Sequence, residues 1–266
     1  MYGNIKLTAY EDVNEVLNYF LTNIQSITAE NFVGMYVIGS LALGDFNPVS
    51  SDIDFVIVTD IDIGDTLFKR LKDIHAEFAS SSSPWANKID AVYITLEAFR
   101  NDNSPSTQYP QVEHGTELFK NALEDGWIFQ TYTLRENGIV VFGTEPCSFI
   151  NPIDPKEMIP SVKAIAGLWL ECAQRDSSWQ EWVRIRKWQV FVIQTLCRML
   201  YSLHTGSVAS KPLAINWARH ELGKPWDSLI TRSLSSKDEN SNITKRDMDE
   251  TIDFIRYTVE NAKVNW

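Results

Sequence analysis

The stretch from Tyr36 to Val58 constrains this chain more than any other. An apolar run, Phe32 to Ile38, ends at Gly39-Ser40. Asp52 follows twelve residues after Ser40, and Asp52-Ile53-Asp54 opens a second apolar run that reaches Val58. Both runs are short and rich in β-branched and aromatic residues, as buried strands are. Side chains two apart on a strand project to the same face, with Cα atoms about 6.5–7 Å apart. Asp52 and Asp54 therefore converge on one hard cation, or on a pair about 3.5–4 Å apart. Mg²⁺ takes oxygen ligands and completes its shell from water and substrate phosphates. Gly39 lets the backbone approach a polyphosphate closely, and the Ser40 hydroxyl with nearby amides can donate to phosphate oxygens. Gly39, Ser40 and Ser51 are the candidate phosphate contacts in this segment. A third carboxylate, Asp90, begins the next apolar run, Ile89 to Thr95. From the same sheet edge it can complete a metal shell or take a proton from an attacking hydroxyl; Glu97 is the fallback.

Composition narrows the partners. The 266 residues carry 24 Lys and Arg against 35 Asp and Glu, a formal charge of −11, which disfavours nucleic acid and suits a cationic small molecule. No apolar run approaches the roughly 18 residues of a membrane span, and the N-terminus lacks a basic region followed by an apolar core, so a cytoplasmic protein is expected. Cys147, Cys172 and Cys197 are odd in number and widely spaced, which fits neither a disulfide framework nor a metal knuckle. His75, His114, His204 and His220 show no metal-ligand spacing, and His75, on a helix, and His114, in a loop, read as structural.

The first half alternates helix and strand. Val16, Leu17, Phe20, Leu21 and Ile24 mark one amphipathic helix, and Leu67, Phe68, Leu71, Ile74 and Phe78 a second. Ile139 to Phe142 is a short strand, and Asn101 to Pro110 reads as a loop. Pro146, Pro152, Pro155 and Pro160 interrupt the chain, which places a domain boundary near residue 155. After it no strand alternation survives, and helices are expected over 156–174, 183–204, 211–222 and 244–263, with Ser233 to Asn242 as an exposed loop. The predicted architecture is α/β (α+β): a mixed-sheet domain over 1–155, then a helical bundle over 156–266.

The Gly-Ser and Asp-x-Asp segment resembles the signature of the nucleotidyltransferase superfamily related to polymerase beta. Over nearly its whole length the chain further resembles the aminoglycoside nucleotidyltransferases of the streptomycin/spectinomycin adenylyltransferase type. That resemblance is carried by Gly39 to Asp54 (GSLALGDFNPVSSDID) and Thr195 to Ala218 (TLCRMLYSLHTGSVASKPLAINWA). It implies that the first segment binds ATP and Mg²⁺, and that an acid matching Asp90, usually Glu in the family, is the base. It also implies that Arg198 and Lys211 reach the triphosphate from the helical domain, with the nucleotide in the cleft between domains. The residues agree: Arg198 is a cation on an otherwise apolar helix and needs a partner, and Lys211 opens a helix, where amides and ammonium favour an anion.

In the streptomycin type a tryptophan and an acid between the first two C-terminal helices bind the drug. Here that region, Asp176 to Trp188, offers Asp176, Trp179, Glu181 and Trp182, with Arg184, Arg186 and Lys187 adding positive charge. Glu113 and Glu117 are the acceptor candidates from the first domain. The expected reaction is transfer of AMP from ATP to a hydroxyl of a small cationic acceptor, an aminoglycoside or aminocyclitol, by a monomeric enzyme. The alternatives are the same chemistry on a lincosamide, another metabolite or a protein hydroxyl, and a non-catalytic nucleotide-binding or antitoxin-like partner protein. The net charge weakens a third, an RNA-modifying nucleotidyltransferase.

Overall fold

A computed structural model describes residues 7–99, 107–235 and 238–263. The chain divides into two compact units, Met1–Pro152 and Ile153–Trp266.

In the first unit, helix α1 (Glu11–Thr28) leads to β1 (Phe32–Val37) and the one-turn helix α2 (Gly39–Ala42). Then come β2 (Ile53–Thr59), α3 (Asp65–Ala79), β3 (Ile89–Thr95), β4 (Tyr109–Val112), β5 (Phe119–Asn121), α4 (Trp127–Asn137) and β6 (Ile139–Phe142). They form one six-stranded sheet in the order β5-β4-β3-β2-β1-β6. Only β2 and β3 run parallel; α3 is the crossover that such a pair requires. The sheet is mixed and the architecture α/β, as its sequence predicts.

Alternation along the strands sorts the two faces. Met35, Val37, Ile53, Phe55, Ile57, Ile89, Ala91 and Tyr93 share one apolar cluster with Phe20 of α1 and Phe78 of α3. Tyr36, Val56, Val58 and Ile94 share a second cluster on the other face with Leu134 of α4. Phe20 is fully buried, its ring 5.2 Å from Phe55 and 4.9 Å from Phe78. Deleting such a ring costs about 3–5 kcal/mol. In β2 and β3 the odd positions thus face α1 and α3, and the even positions face α4. Asp54 and Asp90 are even.

The second unit comprises α5 (Met158–Arg175), α6 (Ser177–Val183), α7 (Arg186–Thr205), α8 (Lys211–Glu221), α9 (Lys224–Leu234) and α10 (Lys245–Asn261). Its core runs along α7, where Val192, Ile193, Leu196, Cys197 and Leu200 are fully buried. Gln189 is also fully buried and donates to Thr251 Oγ1 at 2.8 Å, so its amide is satisfied across to α10. Thr244 caps α10 through the Asp247 amide, and Asp247 in turn meets Arg232 and Arg186 at 3.2 and 3.4 Å.

Three expectations need correction. Tyr109 and Pro110 lie in β4, not in a loop, while residues 101–106 of that expected loop lie outside the described residues. Ser233 and Leu234 finish α9 rather than opening a loop, and Ser236 and Lys237 lie outside the described residues. The helix expected from 183 starts at Arg186, because Ser177–Val183 forms a separate helix. Among the described residues, no helix is long and apolar enough to cross a membrane.

Candidate active site

The site is built at the starts of β2 and β3. Parallel pairing puts Asp54 opposite Asp90 in register, on the even face. Asp52 precedes the strand by one residue, where the Ile53 amide already donates to the Lys88 carbonyl at 2.8 Å. Lys88 Nζ donates to the Val49 carbonyl at 2.8 Å and ties the loop before Asp52 to the start of β3. The carboxylates of Asp52 and Asp90 keep 30% and 33% of their side-chain exposure, enough for a ligand to reach them.

Gly39 completes the edge. Its φ is +64°, and a Cβ there would lie 1.9 Å from Asp54 Oδ2. Any side chain would displace the carboxylate, so glycine is required on both steric and conformational grounds. The turn continues into α2, with the Leu43 amide on the Gly39 carbonyl and the Asp45 amide on the Ser40 carbonyl, both at 3.0 Å. Ser40 is half-buried at the head of this turn. The Ser51 hydroxyl accepts from the Asn47 amide at 3.0 Å, which turns it into its own loop.

One residue read as structural belongs to this site. His114 follows β4 in the turn Glu113 to Thr116, where φ is +50° at His114 and +62° at Gly115. Two successive left-handed residues are the type I′ pattern, and His is among the few non-glycine residues enriched there. The His114 amide donates to Asp90 Oδ1 at 2.6 Å. Its ring Nδ1 stands 3.5 Å from Asp52 Oδ2 and 3.8 Å from Asp90 Oδ1. Asp52, Asp90 and His114 each bring a ligand atom to within 4.8 Å of the others. Together with the space that Gly39 leaves for Asp54, this donor set fits a divalent cation. Glu97 lies in the turn Leu96–Phe99, beyond the far end of β3, which itself ends about 16 Å along the strand from Asp90. It drops out as the third acid.

Both units match known families. Residues 21–94 match the nucleotidyltransferase domain, and residues 148–261 match the aminoglycoside adenylyltransferase C-terminal domain. An aminoglycoside (3'') (9) adenylyltransferase of Rhizobium radiobacter is 22% identical, over 96% of this chain and 94% of its own length. Another of the same name from Escherichia coli is 23% identical, over 92% and 93%. Among solved structures, a spectinomycin adenyltransferase from Enterococcus faecialis, determined with ATP and spectinomycin, superposes with a TM-score of 0.68 at 16% identity, covering 94% of this chain and 99% of that one. Over nearly its whole length the chain is similar to the aminoglycoside adenylyltransferases. It is therefore an enzyme of the adenylyltransferase type.

The remaining candidates of this adenylyltransferase are placed as follows. Glu113 is exposed in the His114 turn, and Glu117 pairs with Lys72 of α3. On the helical unit, Asp176 caps α6, accepting from the Ser178 amide at 2.8 Å and the Trp179 amide at 3.2 Å. Glu181 pairs with Arg184 at 3.2 Å. Trp182 stacks on Trp188 with centroids 5.0 Å apart, and Trp179 and Phe191 each lie 6.2 Å from Trp182. Arg198 is half-buried on α7, its Nε donating to the Ala209 carbonyl at 3.1 Å. Lys211 is exposed as the first residue of α8, behind the Ser210 cap.

Proposed function

We propose that this adenylyltransferase moves AMP from ATP to a hydroxyl of an aminoglycoside or aminocyclitol, with Mg²⁺ as its cation. The observation that carries the reading is the in-register Asp54–Asp90 pair with Asp52 beside it, next to a glycine whose missing Cβ makes room for the Asp54 carboxylate. The names of the relatives point to the acceptor class.

Asp52, Asp54 and Asp90 are the residues that hold the cation. When bound, it neutralises charge on the phosphate oxygens and lowers the pKa of the attacking hydroxyl. Gly39, Ser40 and Ser51, with the turn amides, orient the triphosphate. Arg198 and Lys211 of the helical domain contribute the positive charge that it needs. The acceptor oxygen bonds to the α-phosphorus, the bond from that phosphorus to the bridging oxygen breaks, and pyrophosphate leaves. The hydroxyl proton passes to a carboxylate oxygen of Asp90, whose Oδ1 the His114 amide holds in place. For the ammonium groups of the acceptor, Glu113 comes first, because it shares the His114 turn. Glu117 and Glu181 already meet cations, and Asp176 already caps a helix. Trp179 and Trp182 offer flat apolar surface to sugar rings. We place nucleotide chemistry in residues 1–155 and nucleotide clamping and acceptor contacts in 156–266 of a monomeric, cytoplasmic enzyme.

The test is incubation of the full chain with Mg·ATP and a panel of streptomycin, spectinomycin, another aminoglycoside and a lincosamide, with mass spectrometry of each drug. An adenylyl adduct on an aminoglycoside or aminocyclitol is expected. An adduct on the lincosamide alone would overturn the acceptor class, and no adduct on any drug would overturn drug modification altogether.

A further inference from the structure

We infer that His114 supplies a nitrogen ligand to the cation of this site, making it a mixed imidazole–carboxylate centre that favours Mn²⁺ or Co²⁺ over Mg²⁺. The inference rests on the reading above, in which a divalent cation sits at the starts of β2 and β3.

The distances suit a shared ion. Two ligands about 2.1 Å from one metal lie about 3.0 Å apart at a right angle and about 3.4 Å apart in a tetrahedron. His114 Nδ1 is 3.5 Å from Asp52 Oδ2 and 3.8 Å from Asp90 Oδ1, so closing on an ion needs movements of less than about 1 Å. The imidazole is 71% exposed, which leaves room for water and substrate oxygens in the rest of the shell.

The backbone holds the turn there. The Gly115 amide donates to the Ile89 carbonyl at 2.8 Å, one residue before Asp90. A Cβ on Gly115 would stand 2.1 Å from the Ala86 carbonyl oxygen, so the turn lies directly against the chain that leads into β3. With the His114 amide on Asp90 Oδ1, the turn and the acid are fixed to each other at two points. A ligand on such an anchor binds with little left to order.

The chemistry then sets the preference. Imidazole nitrogen is a good ligand for Mn²⁺, Co²⁺ and Zn²⁺ and a poor one for Mg²⁺, which takes oxygen. A centre of carboxylates alone has a weaker bias of the same sign. Mg²⁺ can still support the reaction where it is far more abundant, but the transition ions bind more tightly.

The experiment uses the full chain without nucleotide or drug. Wild type, His114→Ala, His114→Gly and Asp52→Asn are loaded with Mn²⁺, and pulsed electron paramagnetic resonance records nitrogen modulation on the ion. Binding of Mn²⁺, and of Mg²⁺ by competition, is measured alongside. The Gly variant takes the left-handed φ without strain, so the turn survives it. Wild type should show ¹⁴N modulation that both His114 variants lose. Their Mn²⁺ affinity should fall about 10-fold or more, the scale for losing a tuned ligand interaction, and their Mg²⁺ affinity by less than about 3-fold, since Mg²⁺ gains little from nitrogen. Asp52→Asn should lose affinity for both ions. Unchanged modulation and Mn²⁺ affinity in the His114 variants, with loss in Asp52→Asn, overturns the His114 ligand and leaves the metal site standing. Equal Mn²⁺ and Mg²⁺ losses in the His114 variants overturn the preference. No Mn²⁺ binding in wild type, or full binding in Asp52→Asn, overturns the metal site itself.

Discussion

Gly39 is held to one residue type twice over, by its left-handed φ and by the Asp54 carboxylate where a Cβ would stand. Gly39→Ala should destabilise the protein by about 1–2 kcal/mol through the backbone and move Asp54 by an ångström or so. Displacement of that size costs about 10²-fold in rate. A thermal melt a few degrees lower, with transfer down about a hundredfold, is expected; wild-type turnover would free Asp54 from the site. His75 answers a different question. Its Nε2 lies 2.7 Å from the Tyr93 hydroxyl inside the core, and burial pushes its pKa down to about 3. The unfolded chain takes up this proton near pH 6.5 and the native chain holds out to near 3, so the unfolded state binds more protons across that window. Stability should be flat from this group above pH 6.5 and fall below it by up to about 1.4 kcal/mol per pH unit. Urea unfolding at pH 7 and pH 5 checks this: His75→Gln should narrow the difference, and an unchanged difference would assign the slope to other groups. The acids were legible because period-two alternation tells which side chains share a face. His114 was not, because it lies 24 residues beyond Asp90 and is returned to it only by a left-handed turn after a strand that carries a proline.

Elements with a clear apolar period could be read directly: α1 buries Val16, Leu17, Phe20, Leu21 and Ile24, and α3 buries Leu71, Ile74 and Phe78 of its five markers. The missed ones lack that signal. Pro110 argues against a strand interior, yet β4 pairs through Gln111 and Val112 to β3 and through Tyr109 to β5. β5 is three residues long with one apolar side chain. α4 buries only Thr133 and Leu134, and α9 starts with Lys224-Pro225 after a left-handed Gly223. Asp176 shows how an element can claim a residue that the sequence offers to a ligand. As the cap of α6 it satisfies two amides, and Asp176→Ala should cost about 1 kcal/mol in a denaturant titration. If the residue works only as a cap, acceptor KM stays unchanged in Asp176→Ala, whereas a large KM increase at unaltered stability would make it an acceptor ligand.

At the scale of the whole chain, the proline-rich stretch around Pro146, Pro152 and Pro155 marked the change from sheet to helix, and the two units divide between Pro152 and Ile153. The nucleotidyltransferase match, 21–94, lies within the first unit, and the adenylyltransferase C-terminal match, 148–261, starts just before the division and runs through the second. The sequence alone could not show which acids remain available for an acceptor, since pairing of Glu117 with Lys72 and of Glu181 with Arg184 depends on side-chain positions. The central claim is that the acids at the starts of β2 and β3 carry adenylyl transfer. It is tested most directly by pyrophosphate release from Mg·ATP on adding spectinomycin or streptomycin to wild type and to Asp54→Asn, each melted beforehand without metal. Acceptor-dependent release in wild type is expected, falling below about a tenth in the variant, whose melting temperature stays level or rises because one of the converging charges is gone. Turnover near the wild-type rate in a folded Asp54→Asn would contradict the account.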